Sequence, residues 1–250
     1  LGLGLTLFAA LTVIETGLSG QIRDTAPHRA PSFFVLDVPG DALSQFKARV
    51  ADVAPSARLV TVPSLRGPVV AVNGVRVADM TAIPDDAWIL RGDRGLTYAR
   101  DLPEGSTLVA GQWWPRDYAG PPLISLDAAA AEALGIGVGD RLTISVLGVE
   151  MTATIASLRQ INWETLGFNF AILFAPGTLE AAPHGYMATI AVPFAQENAV
   201  QQQIVTHFPA ASVIRVKDVL MQLNGFLSQL AAAVGAASTV GIAAGMVVLI

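Results

Sequence analysis

The sequence predicts an α+β fold in which two β-α-β units form one sheet, a β-rich subdomain is inserted between them, and a transmembrane helix flanks the domain on each side. Three observations lead to this prediction. Both ends of the chain lack charged residues, a strand–helix–strand pattern occurs twice, and a stretch with several hairpin signals separates the two occurrences.

The charges are confined to the middle of the chain. All 15 basic and 20 acidic side chains lie between Glu15 and Asp218. An ionised side chain at the bilayer centre costs roughly 2.5–3.5 kcal/mol, so apolar, charge-free runs of about 20 residues indicate membrane spans. We therefore predict a truncated transmembrane helix at residues 1–20 and a stalk with a second transmembrane helix at residues 217–250. A signal peptide at the first position and a buried core helix at the second are the alternatives.

The predicted topology and the composition of the chain limit the classes of protein to which it can belong. Two crossings would put both ends on one side of the membrane and the domain between them on the other, and large loops are commonly translocated. The chain has no cysteine, which excludes a disulfide framework and thiol chemistry. Its net charge of −5 leaves no basic surface to neutralise phosphates, so we expect no nucleic-acid partner.

The first β-α-β unit is predicted within residues 21–66. Ser32–Val38 has the aromatic and β-branched residues of a strand, and it ends at a Pro-Gly pair. Asp41 is a suitable N-cap for a helix that extends to Val53. Arg58–Val62 then forms the second strand of the unit.

The second β-α-β unit is predicted within residues 186–216, from strand Thr189–Val192, helix Glu197–Phe208 and strand Ser212–Val216. Seven positions match the first unit at a constant offset of 154 residues, which indicates an internal repeat. Two such units in one sheet, with both helices on one face, make the ferredoxin-like arrangement. The matched pairs are Pro39/Pro193, Pro55/Pro209, Ala57/Ala211, Val38/Val192, Val50/Ile204, Val60/Ile214 and Val62/Val216.

Residues 67–185 form the predicted β-rich subdomain. Asn-Gly is the strongest two-residue turn signal and predicts a hairpin over Val69–Val77. The regular structure of Trp88–Gly111 is not predicted. The remaining elements are a helix Ala128–Leu134 with Asp127 as its cap, a hairpin from Arg141–Leu147 and Glu150–Leu158, and a strand Phe168–Phe174.

After the last strand, Asp218 is predicted to begin a helix that nothing breaks before the membrane. Its apolar residues recur at helical spacing. Small residues recur every fourth position further on, which would allow another transmembrane helix to approach closely; ordinary lipid-facing sequence is the alternative. These four residues are Ala233, Ala237, Gly241 and Gly245.

The sequence contains no recognised catalytic motif. It has no P-loop, no dinucleotide-binding fingerprint and no nucleophile elbow. His28, His184 and His207 are far apart in the chain. We therefore predict that the chain is not an enzyme and that it has no catalytic residue, bound cofactor or metal site.

Two neighbouring clusters combine aromatic rings with amides near the end of a predicted hairpin. They are candidates for contact with an apolar substrate or a partner protein, and burial of the same rings in the core is the alternative. The candidate residues are Asn162, Trp163, Glu164, Phe168, Asn169 and Phe170.

Two groups of motifs carry a family resemblance. Ile124-Ser125-Leu126-Asp127, the helix to Leu134-Gly135 and Val138-Gly139-Asp140-Arg141 resemble the extracytoplasmic domain of FtsX-like, MacB-type ABC-transporter permeases. Arg159 to Trp163, Asn169-Phe170 and Phe174 to Glu180 are similar to a narrower group of large permeases that contain two such modules and are often linked to a lysophospholipase.

The resemblance implies a function. It implies a porter-like β-α-β subdomain in the periplasm, held in the bacterial inner membrane, that responds to ATP hydrolysis by a separate cytoplasmic ABC ATPase subunit. The substrate would be hydrophobic or lipid-like. The implied partners are the bilayer, that ATPase, a periplasmic lysophospholipase or esterase, and other transmembrane helices of the same permease. One departure is that such a module has four spans and this chain has two.

Two other functions are compatible with this topology. A ligand-binding ectodomain of a transmembrane sensor would share the two spans and the stalk, but the internal repeat and the Val-Gly-Asp motif favour a permease. The other is a membrane-anchored hydrolase. It is disfavoured because this sequence has no recognisable nucleophile motif.

Overall fold

The structure is a computed structural model that describes residues 30–162 and 167–223, together with residues 225, 226, 228, 229, 232 and 233. Within them the fold is mixed α+β, as predicted, with one large sheet and four helices. The strands are β1 (Phe33–Pro39), β2 (Arg58–Gly67), β3 (Val69–Val72), β4 (Val75–Arg76), β5 (Arg94–Tyr98), β6 (Ser106–Gly111), β7 (Leu123–Asp127), β8 (Arg141–Val146), β9 (Val149–Ile161), β10 (Ile172–Phe174), β11 (Gly185–Ala191) and β12 (Ser212–Arg215). The helices are α1 (Leu43–Val53), α2 (Ala128–Leu134), α3 (Phe194–His207) and α4 (residues 216–223).

The strands follow the order β12-β1-β11-β2-β5-β10-β7-β9-β8-β3-β4, and β6 pairs with β9. The first four, with α1 and α3, are here called the four-stranded half, and the elements between β2 and β11 are called the inserted half. Neighbouring strands of the four-stranded half are antiparallel. Strand β2 belongs to both halves, because its end, Leu65–Gly67, pairs with β5.

In the four-stranded half, both helices pack on one face of the sheet. Phe46 of α1 meets Phe208, which follows α3, edge-on with ring centroids 5.4 Å apart. These rings fill a core that also receives alternate side chains of the strands, because successive residues of a strand point to opposite faces. The core residues are Phe33, Val35, Val38, Phe46, Val50, Ala54, Ala188, Ile190, Val200, Ile204 and Phe208.

The repeat found in the sequence is also a repeat of main-chain hydrogen bonds. The amide of Ala54 donates to Val50 O at 2.9 Å, and at the same offset the amide of Phe208 donates to Ile204 O at 2.8 Å. The amide of Ala57 donates to Ala54 O, and the amide of Ala211 donates to Phe208 O, both at 2.9 Å. Both helices therefore end in the same way and lead into β2 and β12 in the same way.

Several predicted boundaries in this half are wrong. Helix α1 begins at Leu43 with Ala42 as its N-cap, so Asp41 is not the cap; main-chain bonds to Pro39 O and Gly40 O form the turn before the helix. Helix α3 begins at Phe194, three residues before the predicted Glu197. Pro193 is its N-cap, and the Pro193 main-chain oxygen accepts a hydrogen bond from the Gln196 amide at 2.9 Å.

In the inserted half, both predicted hairpins are confirmed. Asn73 and Gly74 have φ of 49° and 84°, and Leu147 and Gly148 have φ of 51° and 84°, as a two-residue turn between antiparallel strands requires. The helix Ala128–Leu134 is confirmed with Asp127 at the N-cap, although the Asp127 side chain makes no capping hydrogen bond. The predicted strand Phe168–Phe174 is wrong in its first half, since only Ile172–Phe174 pairs with neighbouring strands.

Helix α4 follows β12 without a loop and starts at residue 216, two residues before the predicted Asp218. The described residues beyond 223 are helical as well. Several apolar side chains of this helix are largely exposed, among them Met221 and Phe226. No helix within the described ranges combines the length and hydropathy of a membrane span. The predicted span at residues 1–20 and the part of 217–250 after Ala233 lie outside the described residues.

Candidate functional site

The face of the four-stranded half opposite α1 and α3 carries apolar side chains that none of the described helices covers. Phe34 lies beside Ile214 of β12 and beside Thr189 of β11, which in turn lies beside Val60 of β2. Val60 is 43% exposed and Ile214 is 39% exposed. We call this surface the open face, and none of its apolar residues belongs to a buried core cluster. These residues are Phe34, Leu36, Val60, Val62, Met187 and Ile214.

Two contacts bring the inserted half over the open face. The ring of Phe168 packs edge-on against Phe34, with centroids 5.4 Å apart and an interplanar angle of 71°. Arg58, which alternates with Val60 on the same side of β2, binds Glu104 through Nη2 and Oε2 at 2.8 Å. Both partners come from loops of the inserted half. The open face is therefore next to the segment that holds the predicted contact residues.

The predicted contact residues are partly brought together. Phe168 is half-buried against Phe34, and the Asn169 side-chain amide donates to Asn162 O at 3.4 Å. Phe170 is buried, as the alternative of a core ring predicts, and its contact with a substrate or partner stays a prediction. It packs over Gly95, where an added Cβ would lie 3.3 Å from the ring. Trp163 and Glu164 lie outside the described residues.

A buried arginine holds one end of residues 167–171, which are here called the contact segment. Arg159 of β9 is 2% exposed, and its Nη2 donates to the main-chain oxygens of Phe170 and Ala171, the latter at 3.3 Å. The amide of Asp127 donates to Ala171 O at 2.9 Å. Residues 170–171 are thus held from two strands, whereas Phe168 and Asn169 project beyond the held part.

Burial shifts the ionisation of both charged groups here. Burial lowers the pKa of Arg159 to about 10, and the negative charge of Asp127 opposes that shift. Burial raises the pKa of the Asp127 carboxyl, and the Ala130 amide and the Arg159 charge oppose it. Each charge therefore makes the ionised form of the other less unfavourable, as is expected of a buried pair.

The role of Arg159 was missed at the sequence level, although a signal existed. Residues 153, 155, 157, 159 and 161 of β9 are all buried, whereas the residues between them are more exposed. Arg159 occupies one of the inward positions of this alternation. A charged residue at an inward position of a strand indicates a buried partner.

A shallow depression adjoins the contact segment on its other side. The guanidinium of Arg94 lies 5.5 Å from the centre of the Trp88 ring and donates to Arg91 O. Trp88 is 37% exposed, so one aromatic surface borders solvent. The residues that line the depression are Trp88, Asp93, Arg94, Gly95, Asn169, Phe170 and Ala171.

The described histidines have structural partners. His184 Nδ1 lies 2.7 Å from Ala182 O, and its Nε2 lies 3.1 Å from the Tyr98 hydroxyl and 3.3 Å from that of Tyr186. His207 Nδ1 lies 3.0 Å from Gln203 O. In the parts of the chain that the structure describes, no three His, Cys, Asp or Glu residues come close enough to hold a metal ion.

Of the predicted transmembrane packing residues, the structure describes only Ala233, which is helical and exposed. Ala237, Gly241 and Gly245 lie outside the described residues. The packing of that stripe therefore stays a prediction.

The chain is similar to proteins of known sequence and of known structure. The chain is 25% identical over 221 residues to the uncharacterized ABC transporter permease YbbP of Escherichia coli K12. The aligned region makes up 88% of this chain and 26% of that protein. The chain thus spans about a quarter of the relative's length. A crystal structure of a domain from a permease protein of Porphyromonas gingivalis is 14% identical, with a TM-score of 0.41 over 75% of this chain and 90% of that one. No protein-family model matches the chain.

Proposed function

We propose that this chain is part of the permease subunit of an ABC transporter. The observation that carries the proposal is its similarity to a permease over 221 residues, which is nearly the whole chain. The motifs around Val138-Gly139-Asp140 and Arg159 to Trp163 support the finer assignment to the FtsX-like, MacB-type group.

In this proposal, residues 21–66 and 186–216 are the porter-like subdomain and residues 67–185 are its β-rich insertion. The antiparallel order β12-β1-β11-β2, with both crossing helices on one face, supports the ferredoxin-like assignment. Residues 1–20 and 217–250 anchor the domain in the inner membrane of a bacterium, and the domain lies in the periplasm.

The coupling step is mechanical. A separate ABC ATPase hydrolyses ATP in the cytoplasm, and the resulting motion reaches the domain through the helix that begins with α4. That helix continues β12 directly, and the amide of Val216 donates to Ser32 O at 3.1 Å. Because β12 carries Ile214 and lies next to Phe34, displacement of the helix would move one edge of the open face.

The cargo is a hydrophobic or lipid-like molecule that is exported or extracted at the periplasmic side. The apolar open face beside Phe168 supports this substrate class. A periplasmic lysophospholipase or esterase would receive the cargo, and other transmembrane helices of the permease would pack on the stripe from Ala233 to Gly245.

Transport in liposomes tests the proposal. The permease polypeptide that contains this chain is reconstituted with its ABC ATPase, and ATP-dependent release of a fluorescent lipid to an acceptor is measured. We expect release to require ATP and to fall when Phe168→Asp puts a charge beside Phe34. Val205→Asp, which puts the same charge at an exposed position of α3 on the helical side, is the control. Lipid binding that is independent of ATP and of the ATPase would favour the sensor alternative.

A further inference from the structure

The start of α3 lies at the end of the sheet from which α4 leaves. Phe33 of β1 pairs with Arg215, the last residue of β12, and with Ile190 near the end of β11. Helix α4 continues β12, and α3 begins shortly after β11 ends. The first residue of α3, Phe194, is therefore close to the first turn of α4.

Phe194 is an exposed ring that a lysine of α4 contacts. It is 77% exposed, more than any other large apolar side chain among the described residues. Lys217 Nζ lies 4.3 Å from the centre of this ring and 2.7 Å from Glu197 Oε2. Both contacts join the first turn of α4 to the first turn of α3. The ring therefore has a defined place beside α4, although most of its surface is in contact with solvent.

Helix α4 carries exposed apolar side chains on opposite sides. Val219 and Leu223 lie four residues apart on one side, and Met221 lies on the other, one turn beyond Lys217. No charged residue follows Asp218 in the sequence. A helix that is apolar on all sides belongs in a protein core or in a bilayer. A single partner helix would cover only one of the two sides.

We propose that the bilayer begins at the first turn of α4 and that Phe194 inserts into its surface. The ring lies at the level of the lipid headgroups beside Lys217, whose methylene chain follows the apolar surface while its ammonium stays hydrated. Met221 lies one turn deeper. This inference rests on the proposed function, which anchors residues 217–250 in the membrane. It goes further, because it places the four-stranded half directly on the bilayer rather than on a stalk.

The charges beside the ring do not attract an anionic surface. Lys217 is paired with Glu197, and the neighbouring Asp218 is exposed. One positive and two negative side chains leave a net negative charge. The contact is therefore apolar, and it is favoured by the transfer of the Phe194 ring out of water. It should not require anionic lipid.

Spin labels in the membrane-reconstituted permease test the inference. This chain contains no cysteine, so a nitroxide on a single introduced cysteine reports one position of it. The labelled residues are Phe194, Val205, Met221 and Ala233, and an unsubstituted sample corrects for label elsewhere in the polypeptide. Val205 is exposed on α3, about 16 Å further along the helix than Phe194, and it is the aqueous control.

Collisions of each nitroxide with two reagents measure its depth. Oxygen concentrates in the bilayer, and a nickel chelate stays in water. We expect the ratio of oxygen to nickel collisions to be higher at Phe194 than at Val205, and higher again at Met221. The ratios should be the same in nanodiscs of phosphatidylcholine with and without phosphatidylglycerol.

A charge in place of the ring gives a second measurement. With the label at the exposed Ala195, Phe194→Asp should lower the oxygen-to-nickel ratio, because a carboxylate leaves the bilayer surface for water. The helix should persist, since an acidic residue is favourable in a first turn. Val205→Asp puts the same charge at an exposed position of the same helix and should leave the ratio unchanged. Thermal unfolding of both variants identifies any loss of fold.

The possible results separate the inference from the proposed function. A ratio at Phe194 equal to that at Val205, with Ala233 shielded from nickel, would overturn the inference and leave the membrane anchor intact. Nickel collisions at Ala233 as frequent as at Val205 would contradict both. Labels at Phe194 and Met221 that neither reagent reaches would show that protein covers this surface, which would overturn the inference.

Two further results would also overturn it. One is a raised ratio at Phe194 that is found only with phosphatidylglycerol, because the contact would then depend on charge. The other is an equal effect of Phe194→Asp and Val205→Asp on the label at Ala195, because the ring would then have no role of its own.

Discussion

Phe168 of the inserted half packs edge-on against Phe34 of the four-stranded half, with ring centroids 5.4 Å apart. The contact joins two parts of the chain that are far apart in sequence, and it lies on a face of the sheet that is not covered by any helix among the described residues. The same two rings therefore belong to the candidate binding surface and to the interface between the two halves.

A double-mutant cycle tests that contact. Phe34→Ala and Phe168→Ala should show a coupling free energy of about 0.5–1.5 kcal/mol, the usual range for an aromatic pair. Chemical unfolding followed by fluorescence measures it. Phe46→Ala in the core is the control, and it should lower the free energy of unfolding by about 3–5 kcal/mol. Additive effects of the two surface substitutions would contradict the contact.

Arg159 should hold the contact segment in place. Arg159→Met leaves the oxygens of Phe170 and Ala171 without this donor, so we expect a loss of about 2–3 kcal/mol in the free energy of unfolding. Hydrogen exchange in residues 167–171 should also become faster. Arg159→Lys, which keeps a donor, should restore part of the protection.

Ser157→Ala is the matched control for Arg159. Ser157 is buried two residues earlier on β9 and hydrogen-bonds Ser125 at 2.9 Å, away from the contact segment. Ser157→Ala should destabilise the domain without faster exchange in residues 167–171. Equal exchange in the Ser157 and Arg159 variants would mean that Arg159 stabilises the core only.

Two carboxyls should give pH dependences of opposite sign. Burial raises the pKa of Asp127, so the folded chain binds its proton more tightly than the unfolded chain does. Its contribution to the free energy of unfolding therefore falls as the pH rises from the ordinary value through the raised one. Arg116 lowers the pKa of Asp101, whose contribution is present above the ordinary value and is lost as the pH falls through the lowered one.

Chemical unfolding between acid and neutral pH checks both signs. Asp127→Asn should make stability rise more with pH than in the unaltered chain, because it removes an opposing contribution. Asp101→Asn should make stability rise less. The Asp101 effect should be small, since that pair is exposed. Identical profiles for both variants would contradict the assignment.

Gly67 should be intolerant of any side chain. It lies where β2 passes from one half to the other, and a Cβ there would overlap the main-chain oxygen of Ser145. Gly67→Ala should therefore cost several times more than Gly148→Ala, where φ is +84° but no atom lies within 4 Å of the added Cβ. For Gly148→Ala we expect about 1 kcal/mol. Thermal unfolding measures both, and equal losses would contradict the close approach at Gly67.

The sequence predicted the parts of this fold that depend on local signals. The Asn73-Gly74 turn was found because few residues adopt two successive positive φ values. The repeated units were found because the prolines and apolar positions recur at one offset. Helix starts were less predictable, since Asp41 is a good N-cap by type but the chain turns through main-chain bonds instead.

The binding surface could be predicted only in part. Phe168 and Asn169 were identified by residue type, but Phe34, Val60 and Ile214 lie on three strands that only the sheet order brings together. Arg94 and Trp88 line the neighbouring depression with Asn169 and Phe170, which are far from them in the sequence. Non-local pairing of this kind has no signal within a single short window of sequence.

Lipid crosslinking at Phe168 tests the central claim most directly. A photoreactive residue at position 168 is placed in the full permease, and labelling by a lipid of the surrounding membrane is compared with and without the ABC ATPase and ATP. The account predicts that labelling changes during ATP turnover. With a hydrolysis-deficient ATPase, this change should be absent. Labelling that is absent in every condition, or identical with and without ATP, would contradict a surface that ATP hydrolysis loads or unloads.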